Sequence, residues 1–256
     1  MTSAYRRFWS RVGDTFPDLG GARSTRYYRA NEERLLTAHL GPLRGLRLLK
    51  TDLWDEAKNT RILHWAAAQG VDAHGIDISQ PIVRQARAPA GAAPITAIVA
   101  DCRQVPYRDR SFDAVYSMGT IEHFDESDLA IREMWRVLKP GGRAVVGVPN
   151  RFDPFLRPLV VAALSAIGRY GYGFEKSYSR RALRGLMIRC GFDVIAETGI
   201  LFIPGWLRML DLAAHAYAAP LAPITAALVE PFAWIDRHWP RAGRYGYLIV
   251  AVGLKP

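Results

Sequence analysis

Residues 71–79 read VDAHGIDIS, and residues 99–123 read VADCRQVPYRDRSFDAVYSMGTIEH. Three short apolar runs fall in residues 71–123, and each ends on a polar residue. Residues 71–76 run into Asp77, 95–100 into Asp101, and 112–116 into Ser117. Apolar runs bounded by polar or turn residues read as buried parallel strands. In an open parallel sheet, ligands bind beyond the carboxyl ends of the strands. Asp77, Asp101 and Ser117 are therefore expected along one edge of one crevice. An acid at the end of the second strand suits both hydroxyls of a ribose, and Asp101 suits an adenine amino group. Either Asp alone reads more simply as a helix cap. The pair at this spacing favours a nucleoside.

Three stretches then form a series: GIDIS at 75–79, VADCRQVPYRDRSFDAVYSMGTIEHF at 99–124 and LAIREMWRVLKPGGRAVVGVPN at 129–150. They resemble the second-strand acidic motif, the adenine-contact motif with the fourth strand, and the LKPGG turn with the fifth strand of class I S-adenosylmethionine-dependent methyltransferases, in particular the small-molecule and lipid branch. The resemblance covers residues 45–150, and 175–200 more weakly. It implies an α/β fold with a doubly wound, Rossmann-like, seven-stranded sheet and S-adenosyl-L-methionine as cofactor. It places Asp77, Ile78, Asp101, Cys102, Ser117 and Gly119 at that cofactor. Glu122 and His123 would stand where the methyl group is delivered. His123 is the candidate base, because only histidine titrates near neutrality unaided. The plainer role for this pair is capping or packing the next helix.

The first loop departs from the family, whose first strand ends on an acid followed by a glycine-rich turn. Here RLLKTDLWDEAKNTRILHWAAAQG (47–70) has no glycine between Gly45 and Gly70, and Lys50 stands in place of the acid. Two readings follow. In one, the loop binds the cofactor by other means, with Lys50, Thr51 and Asp52 as contacts. A helix starting near Asn59 and Thr60 would offer its free N–H groups to the methionine carboxylate. Asp52, Asp55 or Glu56 would meet the ammonium, and Lys50 would pair with an acid or with the carboxylate. In the other, the site has decayed and the domain is a non-catalytic binding or scaffold protein. Survival of Asp77, Asp101 and the fourth-strand motif favours the first.

The chain has 256 residues, half of them hydrophobic, enough for one large domain with an insertion. Residues 1–44 read as an arm and a helix, 45–150 as the cofactor-binding core, and 151–256 as the rest of the sheet with an apolar cap at about 200–245. The helix of the first segment starts on Ser24 or Thr25 as a cap and runs to His39; the resemblance implies Tyr27 or Tyr28 over the cofactor, and a packing helix with surface tyrosines is the alternative. Pro89, Gly91 and Pro94 make the loop before the third strand. A helix over 125–138 turns Leu129, Met134, Val137 and Leu138 inward, and a strand over 143–148 follows the Pro-Gly-Gly stop. Tyr172 and Lys176 form a YxxxK pattern, set aside as chance because the dinucleotide glycine fingerprint of an oxidoreductase is missing.

Two cysteines, Cys102 and Cys190, give neither a disulfide framework nor a metal-ligand spacing. A cytoplasmic setting fits, and MTSAYRRFWSR lacks the apolar run of a secretory leader. The net charge of +10 comes from the two flanks, since residues 51–150 carry 11 basic and 13 acidic groups. Without a nucleic-acid motif, this balance points to an anionic membrane surface or an anionic substrate. Residues 212–229 form an 18-residue run without Asp, Glu, Lys or Arg, near the lower limit of roughly 17–25 for a bilayer span. Pro220 and Pro223 interrupt it, and a span would separate two strands of one sheet. A hairpin of helices forming a lid is the better reading. Trp206, Trp234 and Trp239, with Arg208, Arg237 and Arg241, would seat that lid in lipid headgroups. A homodimer interface or a plain buried lid are the alternatives. The expected activity is methyl transfer, chiefly to oxygen, on a small hydrophobic or lipid-linked acceptor.

Overall fold

The computed structural model describes residues 3–87 and 91–256, so Pro89 lies outside the described residues. Seven strands form one sheet: β1 (Arg47–Lys50), β2 (Asp72–Asp77), β3 (Thr96–Val99), β4 (Phe112–Met118), β5 (Leu138–Pro149), β6 (Asp193–Ile200) and β7 (Leu248–Leu254). Their order is β3-β2-β1-β4-β5-β7-β6. The first five run parallel, and β7 runs antiparallel between β5 and β6. The chain reverses direction across the sheet between β1 and β4, which is where such sheets open a ligand crevice.

Among the described residues ten α-helices accompany this sheet: α1 (Ser3–Thr15), α2 (Arg23–Leu40), α3 (Trp54–Lys58), α4 (Ile62–Ala68), α5 (Gln80–Ala86), α6 (Ser127–Val137), α7 (Arg157–Ala166), α8 (Arg180–Arg189), α9 (Gly205–Tyr217) and α10 (Ala222–His238). One face of the sheet buries Leu35, Leu36, Ile62 and Leu63 with Leu207 and Val229 of the cap. The other buries Ile131, Met134, Leu183 and Met187. Both faces of the parallel strands are covered, as their unbroken apolar runs require.

Several local expectations are corrected. The arm is a helix, α1, packed on α5, where the Gln85 side-chain amide donates to the Gly13 carbonyl at 3.1 Å. Helix α2 begins at Arg23 after Ala22, without a side-chain cap. Ser24 and Thr25 lie inside it, because the Ser24 N–H is already taken by Asp211 Oδ2 at 2.7 Å. In α6 the buried stripe is Ala130, Ile131, Met134 and Val137, while Leu129 is exposed. Strand β5 begins at Leu138 rather than 143. Its pairing jumps from Phe112–Leu138 to Ala114–Arg143, so the KPGG segment bulges out of the ladder. Gly141 supplies the left-handed backbone, at φ +78, that this bulge needs.

Residues 200–245 form the expected hairpin, α9 and α10. It is pinned to α2 by Asp211 and by ion pairs of Arg34 with Asp236 at 2.6 Å and of Arg23 with Glu230. No helix among the described residues is long and apolar enough to cross a membrane. The cap is not a buried lid, since Trp206, Trp234 and Trp239 are all exposed.

Candidate active site

One cavity opens beyond the carboxyl ends of the strands and holds about 1180 Å³ of space free of protein atoms, part of its open mouth included. Thr51, Asp52, Asp77, Ile78, Asp101, Cys102, Gly119, Glu122 and His123 all line it. Lys50 and Ser117 do not. Each is fully buried, below the cavity floor.

At one end, Asp77 closes β2. Its Oδ2 accepts from the Leu53 N–H at 3.0 Å and its Oδ1 from the Ser79 N–H at 2.8 Å. The cap of α5 is Ser79, not Asp77, so the aspartate is free to face the cavity. Burial pushes its carboxyl up to about 7, with the two N–H donors working against the shift. Asp101 is gripped by Arg103, whose Nε and Nη2 donate to its two oxygens at 3.1 Å each. Arg103 also pairs with Glu126 at 2.7 Å and lies 4.8 Å over the Phe124 ring. Burial pushes the Cys102 thiol up, so it stays protonated. Tyr5 and Trp9 of α1 reach over this end. Their segment is helical rather than an arm, and its Tyr5, Phe8, Trp9 and Val12 follow helical spacing.

The glycine-free loop is built around Lys50. Its ammonium meets Asp52 Oδ1 at 2.9 Å, Asp55 Oδ2 at 3.3 Å and Glu56 Oε2 at 3.2 Å. Burial opposes the charge, but the three acids outweigh it and hold the Lys50 pKa well above its usual value. Lys50 is thus the counterion inside the loop rather than a group facing a ligand. The expected helix near Asn59 begins only at Ile62. The Leu63 N–H there donates to Glu56 Oε1 at 2.9 Å, so a side chain of this protein already occupies the place expected for a carboxylate. Asp52 Oδ2, reached by the Thr120 hydroxyl at 2.8 Å, borders the cavity.

Gly119 follows β4 at φ +73, with Glu122 Oε1 the nearest atom to where a Cβ would stand. Burial, and then Glu175, push the Glu122 carboxyl well above its usual range. Its Oε1 lies 3.9 Å from His123 Nε2, and its Oε2 has no hydrogen-bond partner. His123 Nδ1 lies 2.8 Å from the Phe174 carbonyl oxygen. Only a protonated Nδ1 can make that bond, so Nε2 carries the lone pair. Burial lowers the His123 pKa and keeps the ring neutral.

The far end comes from residues the motifs did not announce. Arg157, Tyr170, Tyr172, Glu175, Arg208 and Tyr247 line it. Arg157 Nη1 and Nη2 donate to Glu175 at 2.6 and 2.9 Å. Of the two tyrosines expected from α2, Tyr28 reaches the cavity and Tyr27 does not. Arg157, Tyr170 and Tyr172 bring the segment 151–174 to the cavity wall. Lys176 turns away from the cavity to Ser127 and Asp125, so the YxxxK pattern has no joint site. Among the described residues, no group of three or more His, Cys, Asp or Glu side chains is placed to hold a metal ion.

Residues 58–146 match the family profile described as "Methyltransferase domain". The chain is 30% identical over 148 residues to a demethylmenaquinone methyltransferase of Thermus thermophilus, a match covering 51% of this chain and 67% of that one. It is 37% identical over 76 residues to a ubiquinone/menaquinone biosynthesis C-methyltransferase of Geobacter sulfurreducens, covering 28% and 30%. Among solved structures, magnesium protoporphyrin IX methyltransferase of Synechocystis with bound S-adenosylhomocysteine aligns at TM-score 0.58 and 14% identity, covering 99% of this chain and 95% of that one. The cavity suits such a cofactor. Each Asp77 oxygen keeps a lone pair for a ribose hydroxyl, Asp52 offers an anion to an ammonium, and the unpaired Glu122 Oε2 shows a polar contact left open.

Proposed function

The chain belongs to the class I S-adenosylmethionine-dependent methyltransferases, and from that premise we propose that it methylates a small hydrophobic acceptor carrying an acidic hydroxyl, quinol-like or lipid-linked, at that oxygen. The observation that carries this reading is His123. Its Nδ1 is fixed on a backbone carbonyl, its ring is neutral, and its Nε2 lone pair belongs to a cavity wall. That is the arrangement of a general base for a hydroxyl proton. The bound cofactor supplies an electrophilic methyl group on a positively charged sulfur. The protein's task is then to bring the acceptor oxygen in line and to take its proton onto Nε2.

Glu122 Oε1 stands 3.9 Å from that Nε2, beyond hydrogen-bond reach, and leaves its lone pair open. Tyr170, Tyr172 and Tyr247 offer ring faces to an apolar acceptor. A second reading keeps the same residues but sends the methyl to a ring carbon beside the ionised hydroxyl. The names of the quinone relatives favour it. Approach from a membrane surface through the exposed cap belongs to both readings.

The test is transfer of label from methyl-labelled cofactor to a panel of hydroxynaphthoquinols and catechols, with mass spectrometry to locate the methyl group. His123→Gln is expected to lower kcat by roughly 10²–10⁴-fold and leave the affinity for S-adenosylhomocysteine unchanged. Labelled product on none of these acceptors, from a protein that binds S-adenosylhomocysteine, would overturn the proposed acceptor class.

A further inference from the structure

Arg208, in the cap helix α9, is a buried cation to which no described carboxylate is paired. It keeps only 9% of its surface exposed, and its Nε has no hydrogen-bond acceptor. Its guanidinium lies 5.4 Å from the Tyr28 ring centre and 5.6 Å from that of Tyr247. Among the described residues no carboxylate is paired with it, whereas Arg157 is tied to Glu175 and Lys50 to its three acids. Ring faces attract a cation, but they do not replace its lost hydration. A buried charge left unpaired is costly unless a ligand completes it.

The walls around Arg208 indicate which ligand. Asp52, Asp55, Tyr28, Tyr172 and Tyr247 line the same cavity as Arg208. Its wall thus carries both carboxylates and an arginine, a pattern that fits the ammonium and carboxylate of an amino acid. The donors expected of the first loop are missing or engaged. It has no glycine to let backbone approach, Lys50 is enclosed, and the Leu63 N–H is taken by Glu56.

We propose that Arg208 binds a carboxylate entering this cavity, and that the carboxylate is the one at the amino-acid end of the cofactor. The inference rests on the methyltransferase reading. It makes the cap part of cofactor binding and accounts for a first loop that works without glycine.

The test compares wild type, Arg208→Met and Arg208→Lys by calorimetry with three probes: S-adenosylhomocysteine, 5′-methylthioadenosine, which lacks the amino acid, and benzoate added to the S-adenosylhomocysteine complex. Arg208→Met is expected to bind S-adenosylhomocysteine roughly 10- to 100-fold more weakly and 5′-methylthioadenosine as wild type does. Arg208→Lys, with the charge but not the fork, should fall between. Removing an unpaired buried cation leaves no orphan, so the free variant should unfold at no lower urea concentration than wild type. Unchanged S-adenosylhomocysteine binding together with lost benzoate binding assigns the anchor to an acceptor's carboxylate instead. If neither probe changes, Arg208 is not a carboxylate anchor. A wild-type protein that binds neither nucleoside overturns the cofactor reading itself, a result distinct from any change in the variants.

Discussion

At the scale of single residues, Asp77 sets the pH response of cofactor binding. Ribose hydroxyls donate, so the carboxylate is the form that receives them. Burial places this carboxyl at about 7. About nine-tenths of it is ionised at pH 8 and about one-tenth at pH 6, so affinity for S-adenosylhomocysteine should fall roughly tenfold between those values. Stability of the free protein runs the other way. An ordinary aspartate in the unfolded chain loses its proton near pH 4, while the folded protein keeps it to about 7. The free protein therefore loses stability as pH rises from about 4 through 7. Glu56, also pushed up to about 7 by burial, adds to that loss of stability without lining the cavity. Asp77→Asn separates the two effects: calorimetry at both pH values should show its weaker binding nearly independent of pH. A tenfold fall that persists in the variant would assign the dependence to another group. Asp77 and Asp101 were legible in the sequence because a strand-end acid in a parallel sheet has one place to go. Lys50 and Ser117 misled because both, the last residue of β1 and the next-to-last of β4, are buried in the layers, and the cavity begins only at Thr51 and Met118. Arg208, expected in lipid headgroups with Arg237 and Arg241, is instead buried in the cavity wall against Tyr28 and Tyr247, because it falls on the inner side of α9.

At the scale of elements, the first loop is the one the sequence left undecided. Its substitute for a glycine turn is a five-residue helix, α3, folded over a buried lysine. Five residues are too few to show a period, and the ion network joins positions whose spacing has no helical or strand pattern. Removing the lysine leaves Asp52, Asp55 and Glu56 without their cation. Lys50→Met should cost about 3–5 kcal/mol in urea unfolding, because the acids must then be buried uncompensated or protonate. A loss below about 1 kcal/mol would be that of a surface ion pair and would contradict the enclosed network. Gly75 of β2 tests how this loop is coupled to the site. A Cβ there would stand 2.3 Å from a Leu53 methyl carbon and 3.1 Å from one of Leu63. Leu53 also donates the N–H that holds Asp77. Gly75→Ala should therefore cost about 1–3 kcal/mol in stability and weaken S-adenosylhomocysteine as well. A conserved affinity beside the stability loss would mean that the loop shifts without moving Asp77.

At the scale of the whole molecule, the cap presents an outer face that core packing does not explain. At the start of α10 and along it, Leu221, Ile224 and Leu228 recur at helical spacing and are exposed, and Trp234 is exposed farther on. Along α9, Trp206, Met209, Leu210 and Tyr217 do the same. Buried residues on the opposite sides of both helices, Leu207, Leu212, Val229 and Ala233, hold the hairpin to the sheet and to α2. A hairpin apolar on both sides was visible in the sequence as a long uncharged run. Which side faces out depends on the pins to α2, Asp211 and Asp236, whose partners lie about 190 to 200 residues away. Exposed apolar area of this extent marks an interaction surface. With Trp at its edge, exposed Arg237 and Arg241 beside it and a net charge of +10, it suits an anionic lipid surface better than a second copy, which would bring like charges together. Flotation with vesicles of anionic and of zwitterionic lipid should show binding to the anionic set that weakens as salt rises. Ile224→Asp with Leu228→Asp should abolish it while S-adenosylhomocysteine affinity stays as in wild type. Arg208 reports the opposite side of the same helices, so the two sets of substitutions should not affect each other's readout. If the wild type instead sediments as a dimer, ignores vesicles, and becomes a monomer on the double substitution, two copies cover these faces, and a hydrophobic acceptor must enter the cavity from water.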